Sequence, residues 1–198
     1  MFSFTRLRGA DPTLGVEMAS TGEVACFGDD AQEAFIQAML ATGFKIPTPG
    51  SSILLSIASD EFRYEFAESA QILNKLGFKL CGTSGTCKYF KEHYGLDMKE
   101  LRKPVDADDI EACVDSGAPS ALTYIKESDV ELVINISEGT TRKDEISSGY
   151  IIRRTAVDFG VGLITNVKCA VWLAKCLERG LDKFKAKSIT EFYNLHKF

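Results

Sequence analysis

Five consecutive residues, Gly82-Thr83-Ser84-Gly85-Thr86, hold the densest chemistry in this sequence. They follow a short apolar run and precede a stretch with helical spacing. The two glycines let backbone approach a ligand closely, and the three hydroxyls can donate or accept. A helix starting here would aim its free N–H groups and its dipole at an anion. The same pattern also serves as a plain helix cap, and both readings stand. No Gly-Lys-Ser/Thr follows, so this is not a Walker loop, and it is not Gly-x-Gly-x-x-Gly either.

Four more positions belong with it. Asn135 closes the apolar run VELVIN, where its amide either reads a polar ligand edge or caps the next loop. Ser137 stands two residues on and is grouped with it. Lys103 sits in an otherwise acidic stretch, either meeting a phosphate or simply solvated. Arg63 opens a helix and makes either a surface ion pair or an anion contact. Arg153 and Arg154 lie in GYIIRRTAVDFG, one of them directed to solvent or an interface, with a phosphate role secondary.

Catalysis finds little support. His93 and His196 are near neither a serine elbow nor a cysteine pair, and Asp108-Asp109 read as solvated loop acids. The six cysteines Cys26, Cys81, Cys87, Cys113, Cys169 and Cys176 form no CxxC and no zinc-like spacing with histidine. They read as buried free thiols in a reducing compartment, with no metal site and no catalytic residue.

The elements that must carry these residues alternate. A helix is expected over 30–41, capped by Asp29 or Asp30, and TGFKIPTPGSS then reads as a linker. Strands are expected at Ile53–Ile57, Phe78–Cys81, Leu101–Val105, Val130–Ile136 and Gly162–Thr165. Between them, helices are expected over Glu61–Leu76, 86–94, Pro119–Glu127, Tyr150–Phe159 and Val167–Arg179. GTSGT reads as a tight turn, Trp172 as core, and Ser188 with Glu191 as a capping box. Continuous apolar strands alternating with helices indicate a doubly wound α/β sheet of about five parallel strands, with ligands beyond their carboxyl ends. Residues 50–180 are expected to form this domain; the first 29 of residues 1–45 read as irregular structure or as the end of something larger, followed by the linker helix, and 181–198 read as a tail.

Composition agrees. At 198 residues, 45% hydrophobic and 26% charged, the chain is neither disordered nor in need of disulfide or metal staples. Its formal net charge of −5 argues against nucleic acid, which calls for a basic surface. No apolar run reaches the roughly 20 residues of a membrane span, and the first residues lack a secretory apolar region. A cytoplasmic protein is expected.

With these residues in view, the chain resembles the C-terminal end of a large carbamoyl-phosphate synthetase. GADPTLGVEMASTGEVACFG at 9–28 resembles the close of the second ATP-dependent unit, and FIQAMLATGFKIP at 35–47 the helix and linker that follow. GFKLCGTSGT, ELVINIS and GYIIRRTAVDFGVGLITN resemble the methylglyoxal-synthase-like regulatory domain. The likeness covers nearly all of the chain to about residue 180, in order.

The resemblance implies strand order 3-2-1-4-5 and an allosteric, non-catalytic role, with ATP and Mg used by the rest of the synthetase. It implies an effector that is a uridine nucleotide (UTP, UDP or UMP) in a pyrimidine-pathway enzyme, or N-acetylglutamate in the urea-cycle type. Ligand contacts carry over to Thr83, Thr86, Asn135 and Lys103, with Ser84, Gly85, Ser137 and Arg63 beside them. The urea-cycle type has a tryptophan near residue 103 and asparagines where Glu138 and Gly149 stand here, which favours the uridine reading. A methylglyoxal synthase is the remaining alternative, but DSGAPS at 115–120 does not reproduce the acidic catalytic loop.

Overall fold

The computed structural model describes residues 24–104, 118–137 and 148–195. The expectations for residues 1–23, Val105, Asp108-Asp109, Cys113, Glu138 and His196 fall outside the described residues, as does the first half of DSGAPS.

Each element has a local cause. Helix α1, Ala31–Ala41, starts at Asp30, whose side chain accepts from the Glu33 N–H at 2.9 Å. Strand β1, Ser52–Ile57, is the apolar run SILLSI. Helix α2, Asp60–Lys75, is capped by Ser59, which accepts from the Phe62 N–H, and buries Phe66, Ala67, Ala70 and Leu73 at helical spacing. Strand β2, Lys79–Thr83, runs straight into helix α3, Ser84–Tyr94, which stops at Gly95 with φ of 62°. After the short strand β3, Lys99–Leu101, come helix α4, Ala121–Lys126, and strand β4, Leu132–Ile136. Helix α5, Ser148–Asp158, strand β5, Gly162–Ile164, and helix α6, Val167–Arg179, complete the alternation. Asn166 caps α6 on two N–H groups, and Gly180 ends it. A single 3-10 turn and helix α7, Ile189–Leu195, follow, with Ser188 and Glu191 forming the reciprocal capping box.

The five strands form one parallel sheet in the order β3-β2-β1-β4-β5. Side chains alternate across it. Ile53, Leu55 and Ile57 of β1, with Leu132, Ile134 and Ile136 of β4, meet α2 and α6 on one face. Leu54 and Val133 meet α4 and α5 on the other. Both faces are thus covered, as continuous apolar strands require. A fully buried Leu or Ile is worth roughly 1.5–3 kcal/mol, so these layers fix the register that sets the strand ends.

Helix α1 packs on α6. Ile36 is fully buried, the Phe35 and Trp172 rings stand 5.9 Å apart, and Asp30 pairs with Arg179 at 2.5 Å. Trp172 is not core as expected but 36% exposed, lying on the flank of α6 between the buried stripe and solvent.

Two further expectations are corrected. Gly82 and Thr83 are the last residues of β2 and Ser84 the first of α3, so GTSGT is a direct strand-to-helix junction without a turn. The third strand is Lys99–Leu101, two residues earlier than the expected start, and 102–104 do not continue it. Leu101 is its buried anchor, in register with Thr83, and Pro104, lacking an N–H, cannot extend the ladder.

Candidate functional site

In a doubly wound sheet the carboxyl ends of the strands meet where the chain reverses its direction of travel across the sheet. Here that point lies between β1 and β4, with β2 beside β1. Register sets Asn135 opposite Ser56, so both stand on the α5 side at the end of the sheet.

Thr83 and Thr86 are buried, at 2% and 0% exposure. Thr86 Oγ1 accepts from the Ile57 N–H at 3.1 Å and lies 3.3 Å from Thr83 Oγ1. The first turn of α3 is therefore tied to the end of β1. Thr83 occupies the cap position of α3 but makes no side-chain bond to the helix amides. Helices α1, α2, α4 and α6 all have such a bond. The first N–H groups of α3 are thus left to other partners, with Ser84 and Gly85 exposed at its start.

Arg63 lies against this junction. Its Nε donates to the Ile57 carbonyl at 2.9 Å, Nη2 donates to the Ala58 carbonyl at 3.0 Å, and Nη1 pairs with Asp60. A Cβ built at Gly85 would sit 3.4 Å from Arg63 Nη2, so the guanidinium touches the first turn of α3. It also lies 5.7 Å from the Tyr89 ring centroid. Its role is broader than a surface ion pair, since it fastens the β1–α2 corner and places positive charge beside the helix start.

Across β1, Arg153 of α5 is 2% exposed and donates from Nη1 to Asn135 Oδ1 at 2.9 Å. Asn135 is itself 2% exposed. Arg154 turns the other way and pairs with Asp158 four residues on, with Nε 3.1 Å from Oδ1. That contact holds the Asp158 carboxyl below its ordinary range. Sequence reading set both arginines apart from the main site, and the structure brings Arg153 into it. The i,i+4 rule pairs Arg154 with Asp158 and leaves Arg153 beside the buried Ile152, but it does not point to Asn135 as the Arg153 partner.

The remaining residues lie at the margin. Ser137 is half-buried just beyond β4. Lys103 is exposed two residues past Leu101, which pairs with Thr83, and so about 7 Å further along the strand direction. Thr83, Ser84, Gly85, Thr86 and Arg63 form one group, with Asn135 and Arg153 a second group across β1. A cleft of about 460 Å³ among Ser51, Lys79, Lys99 and Tyr124 lies at the opposite, amino ends of the strands, away from this chemistry. Among the described residues no group of His, Cys, Asp and Glu is placed to hold a metal ion, and no helix is long and apolar enough to cross a membrane.

Comparison with known proteins gives a consistent set of matches. Residues 65–165 match the family described as the MGS-like domain. The chain is 43% identical over 184 residues to the multifunctional protein URA2 of Saccharomyces cerevisiae, covering 91% of this chain and 8% of that protein. It is 40% identical over 200 residues to the multifunctional protein CAD of Squalus acanthias, covering 99% of this chain and 9% of the relative. It is 41% identical over 192 residues to the mitochondrial carbamoyl-phosphate synthase [ammonia] of Aquarana catesbeiana, covering 97% and 12%.

Proposed function

We propose that this chain, which belongs to the MGS-like domain family, is the allosteric effector-binding domain of a carbamoyl-phosphate synthetase, and that its effector is a uridine nucleotide. The observation that carries this reading is the start of α3. It leaves β2 with no side-chain cap, its N–H groups face the carboxyl end of the sheet, and Arg63 supplies charge beside it. A phosphate fits that cradle, with Thr83, Ser84, Gly85 and Thr86 forming its wall and Lys103 closing the outer side. Asn135 and Ser137 are left for the rest of the nucleotide.

In this reading the domain carries no chemistry of its own. ATP and Mg serve the other synthetase domains of a cytoplasmic parent chain, and the partners are those domains and the effector. Effector binding shifts the balance between synthetase states by a coupling free energy of about 1–3 kcal/mol, felt equally in both directions. The N-acetylglutamate alternative draws on the similarity to the ammonia-type synthase of Aquarana catesbeiana. Against it, the described segment around Lys103 holds no tryptophan, and Gly149 offers no side-chain amide.

A thermal-shift titration with UTP, UDP, UMP and N-acetylglutamate tests this directly. A ligand at 100 times its Kd stabilises by about 2.7 kcal/mol, a shift of several degrees. A shift with uridine nucleotides alone, weakened in Thr86→Ala, is expected. A shift with N-acetylglutamate alone overturns the nucleotide reading, and methylglyoxal formed from dihydroxyacetone phosphate overturns the non-catalytic one.

A further inference from the structure

We infer that Arg153 is a specificity-determining positioning residue: by holding the Asn135 carboxamide oxygen it turns that amide into a hydrogen-bond donor, so the site selects a uracil over a cytosine base. The inference rests on the effector-site reading above and gives that site a polarity. Guanidinium carries only donors, so the amide atom facing Arg153 Nη1 at 2.9 Å must be the oxygen. The amide nitrogen is then the atom left for a ligand, and it has two hydrogens to give. Both side chains are 98% or more buried by neighbouring protein, so neither is free to rotate into another role.

Placement decides what the donor meets. β2, β1 and β4 are adjacent strands, so Thr83 and Asn135 end strands two spacings apart, about 10 Å. A phosphate seated at the start of α3 leaves its nucleoside to span that gap and bring the base to Asn135. Uracil presents a carbonyl oxygen at its 4-position, which accepts from the amide. Cytosine presents an amino group there, setting donor against donor. A site built to make one hydrogen bond rejects an analogue that cannot make it, and leaves its own buried group unpaired as well.

The test compares UTP and CTP, which share ribose and phosphates, so that their affinity ratio isolates the base contact. The unaltered chain, Arg153→Met, Arg153→Lys and Asn135→Asp are titrated calorimetrically. The unaltered chain should prefer UTP by about tenfold or more. Arg153→Met frees the amide to flip, and the ratio should fall to within about threefold of one; Arg153→Lys, again a pure donor, should keep most of the preference. Asn135→Asp should still pair with Arg153 while presenting a second oxygen to the ligand. Its carboxylate weakens both nucleotides through their phosphates but should turn the ratio towards CTP. This variant decides the matter should Arg153→Met not fold. A purely structural Arg153 lowers Tm and leaves the ratio unmoved, which overturns the inference. An unaltered chain that binds both equally overturns it too, while the effector reading survives. Binding of neither overturns both.

Discussion

Thr86 and Ile57 meet at the centre of the site: the Thr86 hydroxyl oxygen stands 3.1 Å from the Ile57 amide nitrogen and 3.3 Å from its carbonyl oxygen. The third residue of a helix thereby completes the end of a strand to which β2 alone would not supply a partner. Thr86→Val keeps the volume but leaves a buried N–H unmet. A cost of about 1–3 kcal/mol is expected, and Tm should fall by roughly 2–10 °C in calorimetry. Thr86→Ser should recover most of it. Equal Tm in Val and Thr chains would show that the hydroxyl does not close the strand.

Gly82 and Gly77 should respond to alanine for different reasons. A Cβ at Gly82 would lie 3.0 Å from the Leu55 carbonyl oxygen and 3.1 Å from Cys87 Sγ, so β2 must shift against β1. Overpacking of this kind costs about 1–3 kcal/mol. Gly77 has open space but a φ of 85°, so its alanine costs only the backbone penalty, about 1–2 kcal/mol. Denaturant melts should separate them further: Gly82→Ala should also weaken UTP, whereas Gly77→Ala should leave binding unchanged. Loss of binding in both, or in neither, would break the link between strand spacing and site geometry.

Docking of α1 is expected to depend on acid. The Glu33 N–H and Arg179 hold the Asp30 carboxyl below its ordinary value of 3.8. A carboxyl whose pKa is lowered by folding stabilises above its unfolded pKa and loses that contribution as pH falls through the folded one. The α1–α6 contact should therefore hold at neutral pH and loosen below about 3.8. Trp172 is the single tryptophan and stacks near Phe35 of α1, so its emission reports the event. Asp30→Ala should show the loosened emission already at neutral pH. Superimposable pH curves for the two chains would rule Asp30 out as the latch.

Cysteine reactivity should divide sharply. Burial pushes the Cys81 thiol up to about 12 and the Cys87 thiol up to about 11. Thiolate is the reactive form, so iodoacetamide at mildly alkaline pH should leave both unmodified until the sheet opens. Peptide mass spectrometry with increasing urea should show them alkylated together with global unfolding. Half-buried Cys26 should react before them in the native chain. Early labelling of Cys81 would mean that β2 frays at its centre.

Much of this architecture was legible in sequence because burial on both faces writes strands as unbroken apolar runs. SILLSI and LVINI carried that signal, and Gly180 marked the close of α6. What escaped had physical reasons. Gly82 and Thr83 are turn-favouring in type yet buried as strand, Gly82 with no room for a Cβ beside the Leu55 carbonyl and Thr83 with its hydroxyl against Thr86. β3 has one buried residue, Leu101, and a single anchor cannot display a period. Arg153 hid inside a helix whose apolar stripe explains Ile152 and Ala156 but says nothing of a side chain reaching over the sheet end. Thr83, Thr86 and Asn135 could be singled out as candidates because strand ends can be counted. The bonds of Thr86 to Ile57 and of Asn135 to Arg153 could not, since these depend on how the elements pack.

Both outer strands, β3 and β5, are three residues long. Among the described residues each therefore presents a margin only about 10 Å long, and just past β3 the Arg102 backbone already pairs with the segment at Ser120. A parallel sheet needs far more than that to recruit a strand from another chain, and Pro104 shortens the offer further on one side. Truncation at the margins thus protects the domain from edge-to-edge aggregation. It leaves β1 and β4, the strands whose tips carry the candidate site, covered along their flanks.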